Sequence, residues 1–169
     1  MCYAQFLKTD PTAARFPRVP TEVLATPRAD QQIAGLDRRQ SKTINDFLDE
    51  LAARGCQALA YRLSGPTPID HICLKHLGGS LRVVVAFESP TRAWILLVGP
   101  HDEQDPILNV YAELYRLLGM DLPDAARRTK PPCCDEAEGE PPPVLGAALT
   151  EILDRAAEIR RTRRSSRSS

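Results

Sequence analysis

Two basic residues lie in or beside an otherwise apolar hairpin. Residues 81–87 form a β-branched and aromatic run that is typical of a buried strand. Arg82 lies inside this run and Lys75 lies shortly before it. Because a cation is rarely buried alone, each needs either a structural ion pair, which for Arg82 would involve Glu88 or Glu113, or a functional role. A cation with a functional role can stabilise negative charge that develops during a reaction.

Histidine and cysteine side chains supply a weaker candidate for chemistry. His71 and Cys73 share one face of a predicted strand, and His76 follows on the other face if the strand continues. A zinc site needs about four convergent ligands, and no fourth ligand is evident here. The chain also lacks a glycine-rich phosphate loop, a paired-carboxylate motif and a nucleophile elbow.

The cysteines are five in number, and the N-terminus lacks the basic start and apolar core of a signal peptide. An odd cysteine count in a chain without an export signal argues against a disulfide framework and favours the cytoplasm. Cys133 and Cys134 are adjacent, which disfavours both a shared metal and a disulfide between them. Together with Cys2 or Cys56 they could form a thiol cluster.

The hydrophobic pattern predicts an α+β fold. We expect a small antiparallel sheet of about four strands, packed against an N-terminal helix hairpin and a terminal helix, with an extra C-terminal amphipathic helix. Asp37 is a candidate N-cap within the hairpin, and Gly55 is expected to end its second helix. The strands are predicted over residues 22–26, 69–75, 81–87 and 93–98, and the helix pair over residues 30–54.

Composition divides the chain into a main domain and flanking segments. The predicted parts are an N-terminal extension (1–20), the main domain (21–122), a linker rich in proline, cysteine and acidic residues (123–143), an amphipathic helix (144–161) and a disordered basic tail (162–169). The amphipathic helix has an apolar stripe made of Leu145, Leu149, Ile152, Ala156 and Ile159. An isolated helix of this length is marginal in water, so the stripe should dock on its own core, a second copy or a partner protein.

The order of these elements resembles the bacterial RelE/ParE toxin superfamily, the toxin half of type II toxin–antitoxin pairs. The resemblance covers roughly residues 20–119. Its sharpest points are Gly79-Ser80-Leu81-Arg82-Val83, which is similar to the family's strand start, and Val110-Tyr111-Ala112-Glu113-Leu114, which is similar to its terminal helix. The resemblance implies a toxin that works as a ribosome-dependent mRNA endoribonuclease, without metal or cofactor. Its partners would be an antitoxin, the ribosome and mRNA.

The resemblance also implies roles for four residues. Lys75 and Arg82 would carry phosphate and transition-state charge, while His101 and Tyr111 would assist proton transfer. Each has a structural alternative: a solvated strand-end lysine, an ion-paired arginine, an exposed loop histidine and a half-buried packing tyrosine.

Three features depart from the resembled pattern. His101 is followed by acidic residues up to Asp105, where many family members carry basic ones, and Cys73 replaces a further basic position. The formal net charge is +0, whereas proteins that act on nucleic acids usually carry a basic surface. The second hypothesis is therefore a non-catalytic binding module of the same fold that inhibits or scaffolds a protein partner. A homodimer through the C-terminal helix is a further expectation. No membrane partner is expected, because no apolar stretch is long enough to span a membrane.

Overall fold

The computed structural model describes residues 19–102, 104–105, 108–123, 129–134 and 139–165, with the backbone alone for residues 160–165. Nearly all of the predicted N-terminal extension lies outside the described residues, as do the last four residues of the predicted basic tail. The part of that tail that is described, up to Ser165, continues a helix.

The described chain forms one five-stranded sheet with helices on both faces, which confirms the α+β prediction. The strand order is β1-β5-β4-β3-β2; β1 runs parallel to β5 and the other pairs are antiparallel. The extra strand is the two-residue β2, which lies between the predicted helix pair and the second predicted strand. The strands are β1 (Glu22–Ala25), β2 (Tyr61–Arg62), β3 (Ile72–His76), β4 (Leu81–Ser89) and β5 (Arg92–Pro100).

Local sequence determines where the helix hairpin begins and ends. The Asp37 side chain accepts a hydrogen bond from the Gln40 amide at 2.8 Å, and the Gln40 side chain accepts one from the Asp37 amide. This capping box starts the second helix, and Gly55 ends it with φ 57°. The helices are α1 (Pro27–Ala34), α2 (Arg38–Arg54), α3 (Val110–Leu118) and α4 (Gly146–Ser165). None of these described helices is long and apolar enough to cross a membrane.

The alternation of side chains along β4 divides the core into two layers. Val83, Val85 and Phe87 pack with α1 and α2, whereas Val84 and Ala86 pack with α3 and α4. All five are fully buried. Because both faces are covered by helices, this strand has a continuous apolar sequence instead of an alternating one.

Helix α4 docks on its own chain. Leu149, Ile152 and Ala156 are buried in the α3 side of the core, and the helix contacts α1 and α3. The predicted stripe is therefore confirmed in its centre, while its first member, Leu145, is 61% exposed. Of the three predicted docking surfaces, the core of the same chain is therefore the one that covers the centre of this stripe.

Residues 129–134, which we call the strap, lie along β2 and are part of the folded domain. The Arg62 amide donates a hydrogen bond to the Pro131 carbonyl at 2.9 Å. The Ser64 hydroxyl contacts the Thr129 carbonyl at 2.6 Å. Further along, the Val144 amide donates to the Phe87 carbonyl at 2.7 Å. The composition of the predicted linker thus does not prevent its described parts from packing on the sheet.

The strap ends in two disulfides, so the prediction that the chain lacks a disulfide framework is wrong. Cys134 is bonded to Cys56, which follows α2, and Cys133 is bonded to Cys73 on β3. The Cα–Cα distances of 5.5 and 5.6 Å lie within the usual disulfide range. Adjacent cysteines that cannot easily bond to each other can still bond to two different elements. Cys73 is therefore not available to the metal site considered above, and the described residues contain no group of three or more metal-ligating side chains.

Candidate functional site

The register of the sheet places two of the predicted site residues on opposite faces. Lys75 pairs with Val83, and Arg82 pairs with His76. Since Val83 faces α2, Lys75 also faces α2. Its ammonium group donates to the Ala58 carbonyl at 2.6 Å and lies 3.5 Å from a Glu50 carboxylate oxygen. Lys75 therefore has a set of structural contacts and lies apart from the other three predicted residues.

Arg82, His101 and Tyr111 come together on the α3 face, where other polar side chains join them. We call this group the tyrosine–histidine cluster. It comprises Tyr61, His76, Arg82, His101, Tyr111 and Lys130. The cluster lies at the end of the sheet where β2, β3 and β4 meet the N-terminus of α3 and the strap. Each member is either half-buried or exposed.

Contacts between the rings hold the centre of the cluster. The Tyr61 hydroxyl lies 3.1 Å from His76 Nε2 and 3.3 Å from the Tyr111 hydroxyl. The His101 ring meets the Tyr111 ring edge to face, with their centroids 4.9 Å apart. The hydroxyl of Tyr61 thus connects the imidazole of His76 to the phenol of Tyr111.

Secondary structure positions these rings. Tyr111 lies in the first turn of α3, where its amide donates to the side chain of the N-cap residue Asn109 at 2.9 Å. The His101 amide donates to the Ser80 carbonyl at 2.8 Å, which fixes the chain directly after β5. The β3–β4 register places His76 opposite Arg82.

Arg82 is held by backbone carbonyls. Its Nη1 donates to the carbonyls of Gly79 and Leu81, at 2.9 and 3.0 Å. Its Nε is buried and has no hydrogen-bond partner among the described residues. Neither predicted ion pair accounts for it, because Glu113 pairs with the buried Arg28, while Glu88 accepts from the Trp94 indole.

Lys130 brings a second cation to the cluster from the strap. Its ammonium nitrogen lies 5.1 Å from the centroid of the Tyr61 ring, within the range of a cation–π interaction. Lys130 is exposed. The cluster thus presents two cations beside two phenols and two imidazoles.

The environment changes the acid–base properties of two members. Partial burial lowers the pKa of His76, and the electrostatic effects of Arg82, Lys130 and His101 lower it further. Burial and the hydrogen bond with Tyr111 raise the pKa of Tyr61. At neutral pH, His76 is therefore a neutral imidazole that can accept a proton, while Tyr61 remains a phenol that can donate a hydrogen bond.

In the acidic segment after β5, two carboxylates accept hydrogen bonds from backbone amides of the same segment. A carboxylate oxygen of Asp102 accepts from the Gln104 amide at 2.9 Å. A carboxylate oxygen of Asp105 accepts from the Leu108 amide at 3.3 Å. Glu103 lies outside the described residues. These hydrogen bonds explain why acidic residues are placed here, although their charge still lies next to His101 along the chain.

The sequence gives no indication of Tyr61 and Lys130, and it offers His76 only beside His71 and Cys73 as a weak metal-site candidate. The prediction that His76 lies on the face opposite to that of Cys73 is confirmed. Tyr61 lies on a strand of two residues, too short for a hydrophobic pattern to indicate. Lys130 reaches the cluster through a strap whose path no local pattern encodes.

Compared with models of known protein families and with curated protein sequences, the chain matches no family model and has no significant match among the curated proteins. The chemistry of the tyrosine–histidine cluster is therefore the basis for assigning a function.

Proposed function

We propose that this protein is a RelE/ParE-like toxin-type protein that acts as a metal-independent, ribosome-dependent mRNA endoribonuclease and inhibits translation. The observation that supports this proposal is the tyrosine–histidine cluster, which places a neutral imidazole next to two phenols and two cations. Cleavage of RNA by its own 2′-hydroxyl needs a proton acceptor, cationic stabilisation of the phosphate and a proton donor for the leaving oxygen. The cluster contains all three kinds of group.

The roles follow from the contacts. His76 accepts the 2′-hydroxyl proton as the 2′-oxygen forms a bond to phosphorus. The bond from phosphorus to the 5′-oxygen then breaks, leaving a 2′,3′-cyclic phosphate and a 5′-hydroxyl. Tyr111, which is next to His101, supplies the proton to the leaving oxygen, and Arg82 stabilises the charge on the phosphate. Lys75 has no part in this assignment because it faces α2.

The proposed toxin has two kinds of partner. Its substrate is mRNA on the ribosome, and its natural inhibitor is an antitoxin protein. Because ribosomes and antitoxin are found in the cytoplasm, the proposed location of the protein is the cytoplasm. A homodimer through α4 would use the outer side of that helix, since Leu149, Ile152 and Ala156 already pack inside the chain. In the cytoplasm, disulfides are usually transient and redox-sensing, so the two found here bear on how the site is regulated.

A second function is supported by charge. The formal net charge is +0, and Asp102 and Asp105 lie close in sequence to His101. Carboxylates repel a phosphate backbone, which favours a non-catalytic module that inhibits or scaffolds a protein partner. Incubation of the purified protein with ribosomes and mRNA separates the two functions, because only the endoribonuclease produces cut mRNA.

The test in cells is controlled bacterial expression of the wild type beside Arg82→Ala, with growth measured and mRNA 5′ ends mapped. We expect growth arrest and new in-frame 5′ ends for the wild type, and loss of both for Arg82→Ala. Removing a preorganised cationic contact to a developing charge lowers the rate by about 10²–10³-fold.

Lys75→Met is the matched control, since it removes a cation from the opposite face of the same hairpin while keeping the aliphatic stem. We expect it to keep the cleavage pattern, provided circular dichroism shows that both variants are folded. A folded Arg82→Ala protein that still cuts mRNA at the wild-type rate would refute the assignment.

A further inference from the structure

Lys130 brings an exposed positive charge to the edge of the tyrosine–histidine cluster. Among the described residues it pairs with no carboxylate, and its ammonium group lies over the ring of Tyr61. Tyr61 itself contacts His76 and Tyr111. A cation over an aromatic ring at the edge of a half-exposed cluster is the combination that binds single-stranded nucleic acid, in which phosphates alternate with bases that stack.

Apart from the contact between Lys130 and Tyr61, the strap makes few hydrogen bonds with β2 and the residues that follow it in the part of the chain that the structure describes. They are the hydrogen bond from the Arg62 amide to the Pro131 carbonyl and the contacts between Ser64 and Thr129. Exposed hydrogen bonds of this kind contribute little to stability, because water replaces them easily. The strong attachment begins three residues after Lys130, where Cys133 and Cys134 are bonded to β3 and to the end of α2.

We propose that the two disulfides are positioning elements of the RNA site: they hold the strap against β2 so that Lys130 stays over Tyr61, and tight binding of single-stranded RNA therefore requires the oxidised protein. This inference rests on the proposed function, whose RNA substrate it adopts. It adds a regulation by thiol–disulfide exchange.

The exchange needs a dithiol reductant, such as a thioredoxin-type protein or dithiothreitol. A thiolate of the reductant attacks the sulfur of Cys134, the less buried residue of this pair, while Cys56 leaves as a thiolate and takes up a proton. The second thiol of the reductant loses its proton and displaces Cys134, so the reductant becomes a disulfide and the protein gains two thiols. Cys73 and Cys133 are buried, so their bond reacts after the first has opened.

RNA binding tests the inference directly. The probe is a fluorescein-labelled single-stranded oligonucleotide with 2′-O-methyl groups, which cannot be cleaved because the attacking hydroxyl is blocked. Its affinity for the full-length protein is measured by fluorescence anisotropy, before and after reduction with dithiothreitol. We expect reduction to weaken binding about fivefold, and Lys130→Ala to weaken binding of the oxidised protein by a similar factor.

Reduction of the Lys130→Ala protein shows whether the disulfides act through Lys130. If the disulfides act by holding Lys130, reduction should have no further effect on Lys130→Ala, and Lys130→Arg should restore both the affinity and its dependence on reduction. Lys42→Ala removes a distant exposed lysine that is paired with Asp46, so it should behave as the wild type does. An equal loss on reduction in wild type and Lys130→Ala would overturn the inference.

A readout without RNA separates this inference from the proposed function. The charge of Lys130 lowers the pKa of His76. Reduction and Lys130→Ala should therefore each raise the pKa of His76, measured by NMR titration of its ring protons. A titration that is the same in the oxidised, reduced and Lys130→Ala proteins overturns the positioning role. A titration that shifts as expected in a protein that binds no RNA in either state overturns the RNA site inferred here, whereas the proposed function is overturned only if mRNA also stays uncut in the presence of ribosomes.

Reduction also removes two cross-links, so the variants must be folded. Cys56→Ser/Cys134→Ser keeps the bond between Cys73 and Cys133, and Cys73→Ser/Cys133→Ser keeps the other one. Circular dichroism verifies the fold of each. We expect RNA binding to be weakened in each folded variant, and most when both bonds are absent. Full affinity in all of the folded variants would overturn the inference.

Discussion

At the scale of single residues, the alternation of side chains between the two faces of the sheet decides which of them can act together. Lys75 and Arg82 are both basic and both belong to the same hairpin, yet the register of β3 and β4 places them on opposite faces. His76, one residue after Lys75, is the one that joins Arg82. A shift of one residue in the register would exchange these partners.

The lowered pKa of His76 leads to a prediction about pH. Burial, Arg82, Lys130 and His101 all favour the neutral imidazole. If His76 is the general base, RNA cleavage should be lost as the pH falls through a pKa below its ordinary value of about 6.5. Activity should therefore persist at mildly acidic pH, and a pH–rate profile of the purified protein with ribosomes and mRNA measures this limb.

His76→Asn should lower the rate about 10²–10⁴-fold, the usual contribution of a general base, and the acidic limb should disappear. His71→Asn is the control. His71 lies next to β3, but its ring contacts the Pro143 carbonyl at 2.8 Å, far from this chemistry along the sheet. An acidic limb that survives in His76→Asn would assign the base to another residue.

At the scale of elements, α4 is part of the core. Ile152 and Ala156 are almost completely inaccessible to solvent, and Val144 at the entry to the helix is also buried. The Arg155 guanidinium donates to the Leu117 carbonyl at the end of α3. The buried centre of the stripe, made of Leu149, Ile152 and Ala156, therefore has no free surface to offer a partner.

Ile152→Ala tests this docking. Removing a fully buried isoleucine leaves a cavity, so the free energy of unfolding should fall by about 2–5 kcal/mol. Leu145→Ala removes an apolar residue of the same predicted stripe that is 61% exposed, and it should change the stability by less than about 0.5 kcal/mol. Urea unfolding followed by circular dichroism measures both. Equal effects would mean that α4 is not docked in solution as it is here.

At the scale of the whole molecule, two disulfides cross-link elements that are distant in sequence. Cys73 and Cys133 are 60 residues apart, and Cys56 and Cys134 are 78 apart. Both bonds fasten the strap to the α2 face of the sheet, while Lys130 reaches toward the other face. Stability and the composition of the candidate site are therefore linked through the same four cysteines.

Reduction should lower the thermal stability. In the chain-entropy model, closing a single loop of this length stabilises the fold by about 4 kcal/mol, and reduction opens two cross-links. The melting temperature should therefore fall by at least about 10 °C in a chain of this size. Thermal unfolding with and without a phosphine reductant measures the change.

A thiol titration of the denatured, unreduced protein is the independent control. Five cysteines minus the four that are bonded leaves one thiol, that of Cys2, and Cys2→Ser should remove this signal. Five titratable thiols would contradict the cross-links.

The sequence by itself determined the elements of this protein and several of their ends. The α+β class, the apolar strands around residues 81–98, the N-cap at Asp37 and the stop at Gly55 all depend on neighbours a few residues away, which a local pattern can encode. The apolar stripe of the C-terminal helix is local in the same sense. Its docking partner is not, because a stripe shows that burial is needed without showing where it occurs.

Only the tertiary structure decided which side chains meet. Tyr61 and Tyr111 are 50 residues apart, and Cys56 and Cys134 are 78 apart. Such contacts depend on sheet register, on a two-residue strand and on the path of a proline-rich strap, none of which has a periodic signal. For that reason the sequence supplied Arg82, His101 and Tyr111 as candidates, whereas the fold separated Lys75 from them and added Tyr61, His76 and Lys130.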